Sequence, residues 1–317
     1  MIPDIIDEIS ANNTFLITAH ENPDGDAIGS TLALANYLRN LGKDVTIYYC
    51  DPVPDNYTYL PLADTVLNYL PECLFDICFF LDTGSMLRAG EVFETAKNIG
   101  KIINIDHHPD NKKFGAINLL DPKASATGAL IYRLIKYSGH DIDYAMALCI
   151  YTAIVSDTGS FRYSNADSEA FTITGEMVSL GINPWFVAER LYESQPRKRL
   201  ELLALALSAL HVSERGDVAS ITVTLDMLAK TCATPDLTDG FVNYPRSIRG
   251  VEVAIFFREI DAGIYKVGFR SKGKVDVSAL AAAFGGGGHH NAAGCKISGT
   301  LEEARAKIIS YLSKALI

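Results

Sequence analysis

Acidic residues and histidines recur together in four short segments of this sequence. The segments are AHENPDGDAIGS with His20, Asp24 and Asp26, FLDTGS with Asp82, IDHHP with Asp106, His107 and His108, and SDTGSF with Asp157. Several carboxylates can stay ionised side by side only when cations offset their repulsion. Carboxylate oxygens combined with imidazole nitrogens suit Mn²⁺ best, with Mg²⁺, Co²⁺ or Zn²⁺ as alternatives. The segments therefore predict a pair of divalent metal ions, which could clamp a phosphoryl group and activate water.

The predicted strands place these residues at one edge of a sheet. Continuous apolar runs indicate strands that are covered on both faces, at 14–18, 45–49, 76–81, 101–105 and 116–120. His20, Asp82 and Asp106 follow three of these runs, and ligands of open α/β sheets bind outside the carboxyl ends of the strands. Asp24 and Asp26 precede a predicted helix at 26–41, with Gly25 allowing the tight turn between them. Asp157 follows a predicted buried helix at 144–155.

Each segment alone also has an ordinary structural explanation. A D-x-D pair is usually a solvated turn, an aspartate after a strand often caps a helix, and adjacent histidines are often exposed. We favour the metal site because the segments recur at successive strand ends. The two histidines outside the motifs, His140 and His211, are assigned to the structural background.

The fold class predicted from these patterns is α/β. An N-terminal parallel-sheet domain flanked by helices is expected at 1–185, a helical linker at 186–212 and a smaller C-terminal α+β domain at 213–317. In the last of these, a glycine-rich turn and its neighbours could bind a phosphate through backbone N–H groups and an arginine fork. The candidate substrate-binding residues are Arg270, Ser271, Gly286, Gly287, Gly288, His289 and His290.

Composition limits the choice of partners. The chain of 317 residues has a net charge of −10, although residues 213–317 carry 13 basic and 11 acidic residues. Tight binding of long duplex nucleic acid requires basic surfaces, so we do not expect it here. An acidic N-terminus and the lack of a membrane-length apolar run predict a cytoplasmic protein without a membrane partner. The six cysteines are expected to be reduced and buried.

The four motifs and the C-terminal segment GFRSKGKVDVSALAAAFGGGGHHNAAG resemble the DHH phosphoesterase superfamily and its associated C-terminal domain. The resemblance implies that His20 and Asp24 hold one ion, that Asp26, His107 and Asp157 hold the other, and that Asp82 bridges them. It implies that Asp106 orients a histidine without binding metal itself, and that His108 faces the scissile phosphate. We therefore list His108, Asp82 and Asp106 as catalytic. The resemblance is compatible with a homodimer.

Within that superfamily, the sequence is most similar to nanoRNases that also dephosphorylate 3′-phosphoadenosine-5′-phosphate (pAp). Short oligonucleotides or small nucleotides are the expected substrates. Four alternatives stay open: an inorganic pyrophosphatase, a cyclic or linear dinucleotide phosphodiesterase, a RecJ-like single-strand exonuclease, and a nucleotide-binding regulatory protein without activity.

Overall fold

The computed structural model describes residues 1–315, apart from the side chains of His289 and of residues 313–315. The chain forms two compact units, Met1–Ser194 and Gln195–Ile317. Among the described residues, no helix is both long enough and apolar enough to cross a bilayer. None of the six cysteines, all of which are described, is in a disulfide. Cys73 and Cys232 are exposed, so the expectation of buried thiols is wrong for these two.

The first unit is built on a parallel six-stranded sheet, which confirms the predicted fold class. Its strands are β1 (Thr14–Thr18), β2 (Asp44–Tyr48), β3 (Val66–Leu67), β4 (Ile77–Leu81), β5 (Lys101–Asp106) and β6 (Ile117–Leu120). They lie in the order β3-β2-β1-β4-β5-β6. The strand order reverses between β1 and β4, which is where an open α/β sheet binds its ligand.

Both faces of this sheet are apolar, as the continuous hydrophobic runs predicted. In β1, Phe15 and Ile17 pack into a core beneath the helices, whereas Leu16 packs into a second core on the opposite face. That second face is covered by two 3₁₀ turns, Met86–Ala89 and Glu91–Glu94, rather than by α-helices. Each fully buried Phe or Leu contributes about 1.5–3 kcal/mol, so the two cores together fix the sheet.

Six helices complete the first unit. They are α1 (Ile2–Ala11), α2 (Gly25–Asn40), α3 (Thr127–Ser138), α4 (Tyr144–Asp157), α5 (Ser168–Ser179) and α6 (Pro184–Ala188), which a π turn at Glu189–Glu193 extends. Helices α2 and α4 are buried over most of their length and pack against each other. They match the two predicted helices to within two residues at each end, whereas the sequence patterns did not single out α1, α3 or α5.

The second unit contains a mixed six-stranded sheet in the order β11-β12-β10-β9-β8-β7. Its strands are β7 (His211–Val212), β8 (Val218–Val223), β9 (Val253–Asp261), β10 (Ile264–Ser271), β11 (Gly287–His289) and β12 (Ala292–Ser298). Its helices are α7 (Arg197–Ser208), α8 (Leu225–Thr231), α9 (Asn243–Ser247), α10 (Val277–Ala283) and α11 (Leu301–Ala315). Only β8 and β9 run parallel among the described pairs.

The glycine-rich segment of the second unit differs from the predicted turn. Gly285 has a left-handed φ of 73°, but Gly287–His289 forms strand β11, paired with β12. A Cβ on Gly286 would lie 2.1 Å from the carbonyl oxygen of Gly294, and one on Gly288 would lie 2.4 Å from Cα of Ala293. The close approach of β11 to β12 therefore accounts for two of the four glycines.

Candidate metal centre

The acidic and histidine residues predicted from the four motifs meet at the carboxyl ends of β1, β4 and β5. His20 comes two residues after β1, Asp82 directly follows β4, and Asp106 is the last residue of β5. Asp24 caps α2, where its Oδ1 accepts hydrogen bonds from the backbone N–H groups of Asp26 and Ala27 at 3.1 Å each. The structure thus brings together residues that lie more than 130 positions apart in the chain.

Three groups of side chains in the described part of the chain could each hold a metal ion: His20, Asp24 and Asp82; Asp26, His107 and Asp157; and Asp82, His107 and His108. Asp82 lies between the first two, which we call the first and second clusters. In the first cluster, Nε2 of His20 lies 3.5 Å from Asp82 Oδ2 and 3.9 Å from Asp24 Oδ1.

In the second cluster, Nε2 of His107 lies 3.7 Å from Asp26 Oδ2, 3.8 Å from Asp157 Oδ2 and 3.6 Å from Asp82 Oδ1. One oxygen of Asp82 therefore faces each cluster.

These separations suit ligands that share a cation better than hydrogen bonds. N–H···O bonds are about 2.7–3.2 Å long, so the distances of 3.5–3.9 Å in both clusters are too long for them. Two ligands about 2.1 Å from one ion lie roughly 3–3.5 Å apart at octahedral or tetrahedral angles. The residues present therefore fit divalent ions with mixed oxygen and nitrogen ligands.

The backbone orients both imidazoles for such a role. Nδ1 of His20 lies 2.7 Å from the carbonyl oxygen of Glu21, and Nδ1 of His107 lies 3.1 Å from that of Ala124. A hydrogen bond from Nδ1–H to a carbonyl leaves Nε2 as the ligand atom, which is how proteins commonly fix metal-binding histidines. In both residues Nε2 is the nitrogen that faces the carboxylates.

The electrostatics of both clusters favour the binding of positive charge. Burial, reinforced by the charges of Asp82 and Asp157, raises the pKa of Asp26 well above its usual value. Burial and the neighbouring carboxylates likewise raise the pKa of Asp157 to about 7. Burial alone would lower the pKa of His20, but the carboxylates of Asp24 and Asp82 outweigh it and raise this pKa to about 10. Without metal, protons therefore supply the compensating charge.

Asp106 holds His108 and takes part in neither cluster. Its Oδ1 lies 2.7 Å from Nδ1 of His108, and its Oδ2 accepts a hydrogen bond of 2.6 Å from Asn111. Burial would lower the pKa of His108, but the hydrogen bond with Asp106 and the charge of Asp82 raise it to about 9. His108 Nδ1 also lies 3.5 Å from Asp82 Oδ1. Because this nitrogen already bonds to Asp106, the arrangement suits an oriented imidazolium better than a metal ligand.

Further residues of the site were not predicted. The backbone N–H groups of Thr127 and Gly128 donate to Asp26, and Asn165 Nδ2 donates to Asp157 Oδ2 at 2.9 Å. For Thr127 and Gly128, the sequence offered one signal: a hydroxyl residue followed by glycine at the start of a helical pattern, which is typical of a helix N-terminus. That signal is too common to indicate contact with a particular carboxylate.

Gly25 has a different role from the one expected. Its φ is not positive, so the backbone there does not need the conformational freedom of glycine on which the predicted tight turn relied. It begins α2, and a Cβ there would lie 2.2 Å from Oγ of Ser156 on α4. Close packing of the two helices therefore explains this glycine.

The candidate substrate-binding residues of the second unit lie on neighbouring strands and turns. Arg270 and Ser271 end β10, and Ser271 is buried and donates to Asn291 Oδ1 at 3.0 Å. His290 is exposed, with Nε2 3.0 Å from the carbonyl oxygen of Gly273. Of the other candidates, Gly287 has open space where a Cβ would stand, and the side chain of His289 lies outside the described part.

Comparison with known proteins identifies the family of each part of the chain. Residues 14–154 match the model of the DHH family N-terminal domain, and residues 220–314 match that of the DHHA1 domain.

Two curated relatives, each called a bifunctional oligoribonuclease and PAP phosphatase NrnA, are 30% identical to the chain. The Thermus thermophilus protein aligns over 95% of this chain and 89% of its own length, and the Bacillus subtilis protein over 94% and 93%. An exopolyphosphatase-related protein from Bacteroides fragilis has a solved structure with a TM-score of 0.92 and 33% identity, covering 99% of this chain and 95% of that one. The resemblance seen in the sequence is confirmed, and the chain belongs to the DHH family of phosphoesterases, with a DHHA1 domain in its C-terminal part.

Proposed function

We propose that this protein is a two-metal-dependent phosphoesterase that hydrolyses short oligoribonucleotides and pAp. The observation that carries the proposal is the position of Asp82, whose two oxygens face two separate groups of ligand atoms. The names of the relatives, which describe an oligoribonuclease and PAP phosphatase, support the substrate class. The net charge of −10 supports small substrates rather than long duplex nucleic acid.

His20 and Asp24 would hold one ion, and Asp26, His107 and Asp157 the other, with Asp82 bound to both. When bound, the two cations would stabilise charge on the phosphoryl oxygens and make water a stronger nucleophile. The mixed oxygen and imidazole donors favour Mn²⁺ over a softer metal.

His108 would act as the proton donor to the leaving sugar oxygen. The hydrogen bond with Asp106 raises the pKa of His108, which favours the protonated ring. The hydrogen bond of Nδ1 to Asp106 fixes the ring plane, so that Nε2 is the nitrogen we assign to the leaving oxygen. Asp106 is itself fully buried, which keeps this orientation rigid.

The second unit would bind the part of the substrate that does not react. Arg270 would supply the planar donor fork that suits a terminal phosphate, and a side chain added at Gly287 would meet open space. Ser271, Gly286, Gly288, His289 and His290 complete the proposed binding surface. Packing against β12 already accounts for Gly286 and Gly288, whereas no such contact accounts for Gly287.

The test is a parallel turnover assay with pAp, a dinucleotide, a five-nucleotide RNA, a cyclic dinucleotide and pyrophosphate. We expect Mn²⁺-dependent release of phosphate from pAp and of mononucleotides from the short RNAs, with loss of both on adding EDTA. Asp82→Ala should abolish turnover while the circular dichroism spectrum stays unchanged. Turnover of pyrophosphate alone, or full activity in the Asp82 variant, would contradict the proposal.

A further inference from the structure

The first turn of α3 holds two of the carboxylates in the metal centre. The backbone N–H of Thr127 donates to Asp26 Oδ2 at 2.6 Å, and that of Gly128 donates to Asp26 Oδ1 at 2.9 Å. Both N–H groups belong to the helix end that has no intrahelical acceptor and carries a partial positive charge. Both oxygens of the buried Asp26 are therefore fixed by backbone donors.

The side chain of the same threonine reaches the shared carboxylate. Thr127 Oγ1 donates to Asp82 Oδ1 at 3.0 Å, the oxygen that faces the second cluster. Asp82 Oδ2 faces His20 instead. A single residue thus contacts Asp26 through its backbone and Asp82 through its hydroxyl, and so sets the spacing between two like charges.

Packing leaves this turn little freedom to move. Thr127 is fully buried, and Asp26 and Asp82 are 1% and 2% exposed. A Cβ on Gly128 would lie 2.5 Å from Cβ of Ala153 on α4. Bulk water therefore has no ready access to replace the hydroxyl if it is removed, and the Asp82 oxygen would lose a donor that nothing restores.

We infer that Thr127 is a positioning residue that sets the affinity of the centre for divalent cations by holding Asp26 and Asp82 at a fixed separation. This inference rests on the proposed function, because it presumes that these carboxylates bind metal. Donors that orient metal ligands typically change affinity or activity by about 10- to 100-fold when they are removed. Since Thr127 contacts carboxylates and no proposed substrate-binding group, its effect should appear in metal binding rather than in KM.

The chain offers matched controls. Thr127→Val removes the hydroxyl at nearly constant volume, whereas Thr127→Ser keeps it. Ser125→Ala removes another buried hydroxyl two positions earlier, one that makes no hydrogen bond within the described residues. If the effect belongs to the Thr127 hydroxyl, only the first variant should change metal binding.

The experiment is a titration of the metal-free, full-length proteins with Mn²⁺, followed by the electron paramagnetic resonance of free Mn²⁺. Thr127→Val should raise the Kd by about 10- to 100-fold. Thr127→Ser and Ser125→Ala should bind like wild type. At saturating Mn²⁺, the KM of Thr127→Val for pAp should equal that of wild type.

Different failures point to different errors. Wild-type affinity in a folded Thr127→Val protein would overturn the inference and leave the proposed function intact, whereas failure of the wild type to bind Mn²⁺ would refute the proposed function itself. An equal loss of Mn²⁺ affinity in Thr127→Ser or Ser125→Ala would also overturn the inference, since general packing would then explain the result. If Thr127→Val does not fold, Thr127→Ala removes the hydroxyl together with the γ-methyl group, and Thr127→Ser, which lacks only that methyl group, is its control.

Discussion

In the absence of metal, the free energy of unfolding should fall as pH rises from about 4 to about 7, because folding raises the pKa of Asp157. Burial, aided by the charges of Asp82 and Asp24, raises the pKa of Asp157 from 3.8 to about 7. Between those values the unfolded chain has lost this proton and the folded protein retains it. Rising pH therefore favours the unfolded state in this window, and the penalty is complete above pH 7.

The size of the effect follows from the shift. About 3 pKa units at about 1.4 kcal/mol each give an upper value of roughly 4 kcal/mol. The side chain of Asp157 is 28% exposed, and solvent screening reduces the expected value to about 2–4 kcal/mol. Asp157→Asn removes this titration. The contributions of His20 and His108 change only above pH 6.5, because their pKa values rise from 6.5 to about 10 and about 9.

The assay is urea denaturation at several pH values from 4 to 8, in EDTA and in Mn²⁺. In EDTA, the free energy of unfolding of wild type minus that of Asp157→Asn should fall by about 2–4 kcal/mol between pH 4 and pH 7. In Mn²⁺ at pH 8, wild type should be more stable than Asp157→Asn, because only wild type keeps the full set of metal ligands. If the free energies of unfolding of the two proteins in EDTA change with pH in the same way, the reasoning is refuted.

Two further substitutions test neighbouring parts of the centre. Asp106→Asn should lower kcat by about 10- to 100-fold with little change in Mn²⁺ affinity, because Asp106 orients His108 and belongs to neither cluster; an equal loss of affinity in a Mn²⁺ titration would contradict this. Gly128→Ala should lower the free energy of unfolding by about 1–3 kcal/mol, since its Cβ would lie 2.5 Å from that of Ala153. Adding Ala153→Gly should recover part of the loss in urea denaturation, and strictly additive effects would argue against the contact.

The central sheet and the meeting of the motifs could be predicted because their causes are local. Strands buried on both faces must be continuously apolar, and β1 was predicted with both ends correct. Parallel strands end at one edge, so residues following β1, β4 and β5 had to be neighbours. The two-residue strand β3 is too short to show any pattern, and it was missed.

The features that were missed depend on tertiary packing. Nothing local distinguishes a threonine that begins a helix from one that also contacts Asp82, because that contact exists only after α3 packs against the central sheet. Gly25 was interpreted through backbone freedom, whereas the neighbouring helix α4 explains it. Likewise, the four consecutive glycines suggested a turn, and only pairing with β12 makes Gly287–His289 a strand.

Crystals soaked in MnCl₂ and measured at the manganese absorption edge would test the two-ion site most directly. Two anomalous peaks about 3.5–4 Å apart are expected, one beside His20 and Asp24 and one beside His107 and Asp157, with Asp82 between them. Manganese peaks elsewhere, or none near Asp82 at saturating metal, would contradict the account.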